Sequence, residues 1–279
     1  MTATRTVRTA LIQTIGISPM EAQNKHNVAL IEQAAEQGAQ IVCLQELATG
    51  PYFCQVEDPE WFQLAEPVPN GPTTELMQET AKRLGVVLVV PLYEKADNFF
   101  YNTAAVIDAD GTYLGKYRKN HIPHGNYFYE KYYFKPGNLG YPVFETKFAK
   151  VGVYICYDRH FPEGARALGI NGAEIVFMPS ATSGESEEWW LLEQRGHAKA
   201  NGYWVGTINR VGIEPELGPN DFYGTSYFAN PNGTIVAQAG REEEILIHDI
   251  DLSPLDPRTM PNTFWRDRRP DTYDELVAP

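Results

Sequence analysis

The chain has 279 residues, of which 43% are hydrophobic and 21% charged, a balance that excludes a disordered chain. A formal net charge of −13 argues against nucleic acid or an anionic membrane surface as partner. No apolar run reaches membrane-spanning length, and the opening MTATRTVRTALIQT lacks the apolar core of a signal peptide. The three cysteines, Cys43, Cys54 and Cys156, show no zinc or redox spacing. The expected setting is therefore a reducing cytoplasm with free thiols.

In chain order, residues 7–13 read as a strand and residues 20–37 as an amphipathic helix. QIVCLQ (40–45) is a buried strand ending at Glu46. Residues 73–84 are helical, closed by Gly85, and 86–93 return as a strand. Strands at 102–109 and 112–117 flank Asp110-Gly111, a two-residue hairpin signal. A strand at 174–178, a helix at 187–201 and a strand at 203–209 follow. Strands at 226–229 and 234–238 flank Asn230-Pro231-Asn232-Gly233, and 244–250 comes last. Alternating strands and helices with inserted hairpins predict an α/β fold with mixed sheets, such as two packed sheets with helices outside. Residues 1–252 read as a single domain. The tail, 253–279, carries five prolines, Trp265, Arg266, Arg268 and Arg269, and Phe264-Trp265 favours docking on a second subunit.

The most informative stretch is KVGVYICYDRHFPEGARALGINGAEIVFMPSA, residues 150–181. A β-branched run (Val151, Val153, Ile155) stops at Cys156, and Pro162-Glu163 open a helix. A thiol there lies near the positive end of a helix dipole, which favours thiolate. It reads either as a nucleophile or as a buried structural cysteine.

Three further ionisable residues belong with it. Glu46 ends its strand, and alternation points it to the side of Val42 and Leu44, where a carboxylate is costly unless partnered. Lys119 falls on the side of Tyr117, opposite Lys116 and Arg118, so one cation of that cluster points inward. Glu130 stands among aromatic residues in FYEKYYFKPG. Taken singly, Glu46 and Glu130 also read as solvated surface charges. A thiol nucleophile needs a base and a partner for the developing oxyanion. His160, His121 and His124 leave a Cys/His pair open.

ELATGPYF after a strand, GKYRKNHIP, and the 150–181 segment together resemble the nitrilase superfamily of carbon–nitrogen hydrolases, in order and from about residue 7 into the tail. The resemblance implies a four-layer α-β-β-α sandwich. It implies Glu46 as general base, Lys119 as oxyanion stabiliser, Cys156 as nucleophile, and Glu130 as a second glutamate positioning substrate and Lys119. The Tyr157 N–H becomes the other oxyanion donor, with His124 and Asn209 as further substrate-binding positions. A homodimer or higher homo-oligomer is also implied.

Within the superfamily, NGAEIVF with PSATS, HAKANGYWVGTINRVG, FYGTSYFANPNG and WRDRRPDTYDEL resemble the N-carbamoyl-amino-acid amidohydrolases, β-ureidopropionases above all. Met178 departs from the asparagine more usual in such relatives, at an expected pocket wall. The amino terminus before the first strand is short beside the animal enzymes. Arg159, three residues past the thiol, is placed to take a substrate carboxylate in bidentate fashion. Its other reading is a local salt bridge to Asp158 or Glu163. The expected substrate is thus a ureido acid such as N-carbamoyl-β-alanine, cleaved to amino acid, ammonia and carbon dioxide through a cysteine-linked intermediate, a mechanism that by the resemblance needs no metal or organic cofactor. N-carbamoyl-D-amino-acid hydrolase, N-carbamoylputrescine amidase and simple amidase remain alternatives within the superfamily. An inactive scaffold and a metal-dependent hydrolase are the alternatives outside it.

Overall fold

The computed structural model describes residues 5–255 and 264–278. The amino-terminal half contains β1 (Thr6–Gln13), α1 (Met20–Glu36), β2 (Ile41–Leu44), α2 (Pro72–Leu84), β3 (Val87–Ala96), β4 (Phe99–Ile107) and β5 (Tyr113–Arg118). A single-turn α3 (Glu130–Tyr133) leads to β6 (Val143–Glu145), β7 (Lys150–Val153), α4 (Pro162–Ile170), β8 (Ile175–Ser180), α5 (Glu187–Asn201) and β9 (Trp204–Asn209). The chain closes with β10 (Val211–Ile213), β11 (Asp221–Tyr223), β12 (Tyr227–Ala229), β13 (Ile235–Gln238) and β14 (Glu244–Asp251).

Two six-stranded mixed sheets result, ordered β14-β1-β2-β3-β4-β5 and β13-β12-β9-β8-β7-β6. In each, three adjacent central strands run parallel, β1-β2-β3 and β7-β8-β9, with antiparallel neighbours outside. Helices follow the parallel strands because a parallel connection needs a crossover. Pro72 starts α2, and Gly85 ends it in the left-handed region at φ 70, where a side chain would be strained.

Alternation along the first sheet separates two cores. Val42, Leu44, Leu88 and Val90 pack with Leu30, Ile31 and Met77 of α1 and α2. Ile41, Cys43, Val87 and Val89 belong instead to the core shared with Val153, Phe177 and Val205 of the second sheet. The second sheet's helices contribute Leu168 and Trp190. The layers are α-β-β-α, as the resemblance implies. Gly206 lets the sheets approach, since a Cβ there would stand 3.1 Å from Leu11.

Most expected elements are present, with ends shifted by a few residues. The small β10-β11 sheet, β6 and α3 were not expected from periodicity, being too short to carry it. Among the described residues no helix is long and apolar enough to cross a membrane. Most of the tail's junction with the domain, 256–263, lies outside the described residues. Beyond it, Phe264 stands with its ring 5.9 Å from Lys199 Nζ of α5 in the same chain.

Candidate active site

The 150–181 segment forms a sharp elbow. β7 stops at Val153, two residues before the end expected from its apolar alternation. The Tyr154 N–H still donates to Phe177 O at 2.9 Å, whereas the Ile155 N–H turns to Asp158 Oδ2 at 3.1 Å. Cys156 then takes the left-handed region at φ 47, and residues Cys156–His160 form a 3-10 segment leading into α4. A non-glycine residue there stores about 1–3 kcal/mol of strain, and functional turns tend to hold such residues.

Glu46 requires a correction. Its strand ends at Leu44, so alternation cannot be carried to residue 46, and the carboxylate does not share the helix-facing side of Val42 and Leu44. Glu46 Oε2 instead accepts the Ala181 N–H at 2.8 Å, at the end of β8 in the other sheet. Its Oε1 accepts from Asn102 Nδ2 at 2.7 Å and from Lys119 Nζ at 2.8 Å. Lys119 Nζ also meets both oxygens of Glu130, at 2.8 and 2.7 Å. Tyr52 OH donates to Glu130 Oε1 at 2.6 Å. All these side chains are buried, which removes the solvated readings of Glu46 and Glu130.

One lysine thus faces two carboxylates. Burial opposes the Lys119 charge, but Glu130 and Glu46 outweigh it and hold the ammonium well above its ordinary pKa. Burial raises Glu130 to about 7, with Lys119 opposing and Glu46 reinforcing the shift. The Cys156 thiol is pushed up to about 12 by burial and then by Glu46, against the pull of Lys119 and Arg159. Burial thus outweighs the pull toward thiolate expected from the nearby helix dipole. The site therefore sets the Cys156 thiol beside the Glu46 carboxyl group.

Cys156 Sγ approaches Ala181 O at 3.8 Å and Arg159 Nη1 at 3.8 Å, and among the described residues no histidine bonds to it. A Cys/His pair is thereby not formed. His121 bonds Asp158, and His160 bonds Glu193 at 2.8 Å. The Tyr157 N–H, in the first turn of the elbow, meets no acceptor among the described residues.

Above the thiol lies a pocket of about 300 Å³, lined by His124, Phe128, Cys156, Tyr157, Arg159 and Thr182 among others. Arg159 is 5% exposed. Its salt bridge is neither to Asp158 nor to Glu163: Nε stands 3.4 Å from Glu193 Oε2, leaving Nη1 on Cys156 O at 3.1 Å and Nη2 on Thr182 Oγ1 at 3.4 Å. His124 sits at the rim, its ring edge-on to Tyr129 at 5.6 Å. Asn209 does not reach the pocket. Its amide is committed to Thr182, accepting the N–H at 2.9 Å and donating to the carbonyl at 3.0 Å, so it braces the wall from behind. Met178 is likewise a core residue, 1% exposed and absent from the pocket wall.

Tyr52 and Asn102 complete the charged cluster and were missed. Tyr52 lies in ELATGPYF, a family-like motif in which only the glutamate carries an implied role, and Asn102 begins a strand with nothing to mark its side chain as inward.

The carbon–nitrogen hydrolase family profile matches residues 8–257. The chain is 46% identical over 262 residues to an N-carbamoylputrescine amidase of Solanum lycopersicum, covering 89% of this chain and 87% of that protein. It is 41% identical to a β-ureidopropionase of Arabidopsis thaliana, covering 89% of this chain and 65% of that one. The crystal structure of a carbon–nitrogen hydrolase from Helicobacter pylori G27 superposes with a TM-score of 0.91 at 36% identity, covering 99% of both chains.

Proposed function

The chain belongs to the carbon–nitrogen hydrolase family, amidohydrolases of non-peptide carbon–nitrogen bonds, and on that premise we propose that it hydrolyses an N-carbamoyl amino acid, N-carbamoyl-β-alanine foremost. Glu46 accepts the Cys156 proton as the sulfur attacks the ureido carbonyl. Lys119 and the Tyr157 N–H hold the tetrahedral oxyanion. Ammonia leaves with a proton from Glu46, and the carbamoyl carbon stays on sulfur with the amino acid attached. Water activated by Glu46 then releases an N-carboxy amine, which loses carbon dioxide. Glu130 holds Lys119 in place throughout.

The observation that carries the substrate reading is Arg159. Glu193 takes its Nε side, and Arg159 lines the pocket above the thiol, where no acidic side chain stands among the described lining residues. Nη1 stands 3.8 Å from Cys156 Sγ, a separation that suits a short ureido acid with its carboxylate on the guanidinium. A second reading, N-carbamoylputrescine, is favoured by the Solanum lycopersicum relative. Its ammonium would face the Arg159 guanidinium.

Ammonia release over a panel of N-carbamoyl-β-alanine, N-carbamoyl-D-amino acids, N-carbamoylputrescine and a neutral amide tests this. Arg159→Ala is expected to raise KM for the ureido acid by roughly 10- to 100-fold, the value of a charge-assisted hydrogen-bond pair, and to spare the neutral amide. Preference for N-carbamoylputrescine, unaffected by Arg159→Ala, would overturn the reading.

The tail is proposed to dock on a second copy of the chain. Trp189 and Leu192 are 54% and 60% exposed on the α5 face that also carries Lys199, beside Phe264. Light scattering giving a monomer mass would contradict this.

A further inference from the structure

Asp158, two residues beyond the thiol, is fully buried and takes no part in the proposed bond changes. Its carboxylate accepts four hydrogen bonds. Oδ2 accepts the Ile155 N–H at 3.1 Å and Tyr117 OH at 2.6 Å. Oδ1 accepts the His121 N–H at 2.9 Å and His121 Nδ1 at 2.7 Å. The donors come from two segments distant in sequence. Ile155 immediately precedes Cys156, whose φ of 47 is a conformation that the chain alone disfavours. Tyr117 and His121 flank Lys119 on either side, two residues away in each direction. The His121 ring is fixed in turn by Phe161, stacked at 3.7 Å and 6°, at the far end of the elbow.

We propose that Asp158 is a positioning residue that sets Cys156 against Lys119 by tying the elbow to the segment carrying the lysine. A carboxylate suits this place because all four partners are donors: two backbone N–H groups, a phenol and an imidazole N–H. An amide would face at least one N–H with its own donor. Because displacements of about 1 Å at a reacting group cost on the order of 100-fold in rate, such a tie bears on chemistry as well as on folding.

The inference rests on Cys156 being the nucleophile, so its test reads the thiol directly and without turnover. Alkylation by iodoacetamide, mapped to Cys156 by mass spectrometry, is followed in the unchanged protein, in Asp158→Asn and in Glu94→Gln. Glu94 is a buried carboxylate whose hydrogen bonds go to Lys116, Arg118 and Thr103 and not to Asp158, Cys156 or Lys119, so its loss destabilises the fold without cutting the tie. Asp158→Asn is expected to slow Cys156 alkylation and ammonia release together by about tenfold or more, while Glu94→Gln alkylates at the parent rate well below its melting temperature. Should Asp158→Asn fail to fold, Tyr117→Phe removes one donor and decides the matter: slowing of about threefold or more supports the tie. A smaller change in whichever variant folds, or faster alkylation as from simple loosening, overturns it. Full activity in Cys156→Ala would instead sink the nucleophile assignment, a separate result.

Discussion

Two clusters of buried charge flank the end of β5, one residue apart in sequence, and they are built in opposite proportions. In the first, Lys116 Nζ at 2.5 Å and Arg118 Nη2 at 2.6 Å converge on Glu94 Oε1, with Thr103 donating to Oε2 at 2.6 Å. Burial raises Glu94, but Arg118, Lys116 and Thr103 outweigh it and hold the carboxyl below its ordinary pKa. In the second, Lys119 alone serves Glu46 and Glu130, and Glu130 rises to about 7. Two cations on one carboxylate lock it ionised. One cation between two carboxylates leaves surplus negative charge and a proton that can move. The same residue types therefore make a structural brace on one side and a site suited to proton transfer on the other.

The largest effect that separates them is expected at Lys119. Lys119→Met removes the cation proposed for the oxyanion and leaves Glu46 and Glu130 facing each other, so one of them takes up a proton. Ammonia release should fall by at least about 10³-fold, since one oxyanion donor alone is worth 10²–10³. Glu94→Gln breaks the other cluster and should act on stability. Removing one partner of a buried pair costs about 3–5 kcal/mol, and the partial exposure of Lys116 and Arg118 lowers this to about 2–3, measured by denaturant unfolding. Its activity at low temperature should stay within about twofold of the parent.

pH dependence sharpens the contrast further. Because the folded pKa of Glu130 lies above its ordinary 4.5, its contribution to stability is complete below that value and is lost as pH climbs through about 7. Glu130→Gln fixes a neutral side chain. Its stability relative to the parent should therefore rise between about pH 5 and about pH 8, by up to about 3 kcal/mol. Glu94 has the opposite sign: its contribution is present at neutral pH and lost as pH falls through its depressed folded value. Parallel urea titrations of both variants across pH measure the two slopes, and like signs would break the comparison.

Local signals explain what was legible in the chain. The apolar run to Ile155 with Pro162 behind it marks a strand, a turn and a helix, and alternation after Tyr113 puts Lys119 on the side opposite Lys116 and Arg118. Family motifs then supplied the roles that spacing left open. What stayed hidden depends on partners far away in sequence. Glu46 is held by Ala181, 135 positions on, and its direction was misjudged because the strand ends early. The thiol's protonation follows from how deeply two sheets bury it, which no run of residues displays. Arg159 was expected to take a substrate carboxylate or to pair with Asp158 or Glu163, but its partner Glu193 sits on α5, outside the motif. Asn209, within a family-like segment and expected to bind substrate, is instead committed to the backbone of Thr182.

The account turns on the Cys156 sulfur, and ammonia release by Cys156→Ala measures it most directly. With N-carbamoyl-β-alanine as substrate and cooperative melting confirming a folded variant, release should drop to background, at least about 10³-fold below the parent. Release at the parent rate would contradict the assignment.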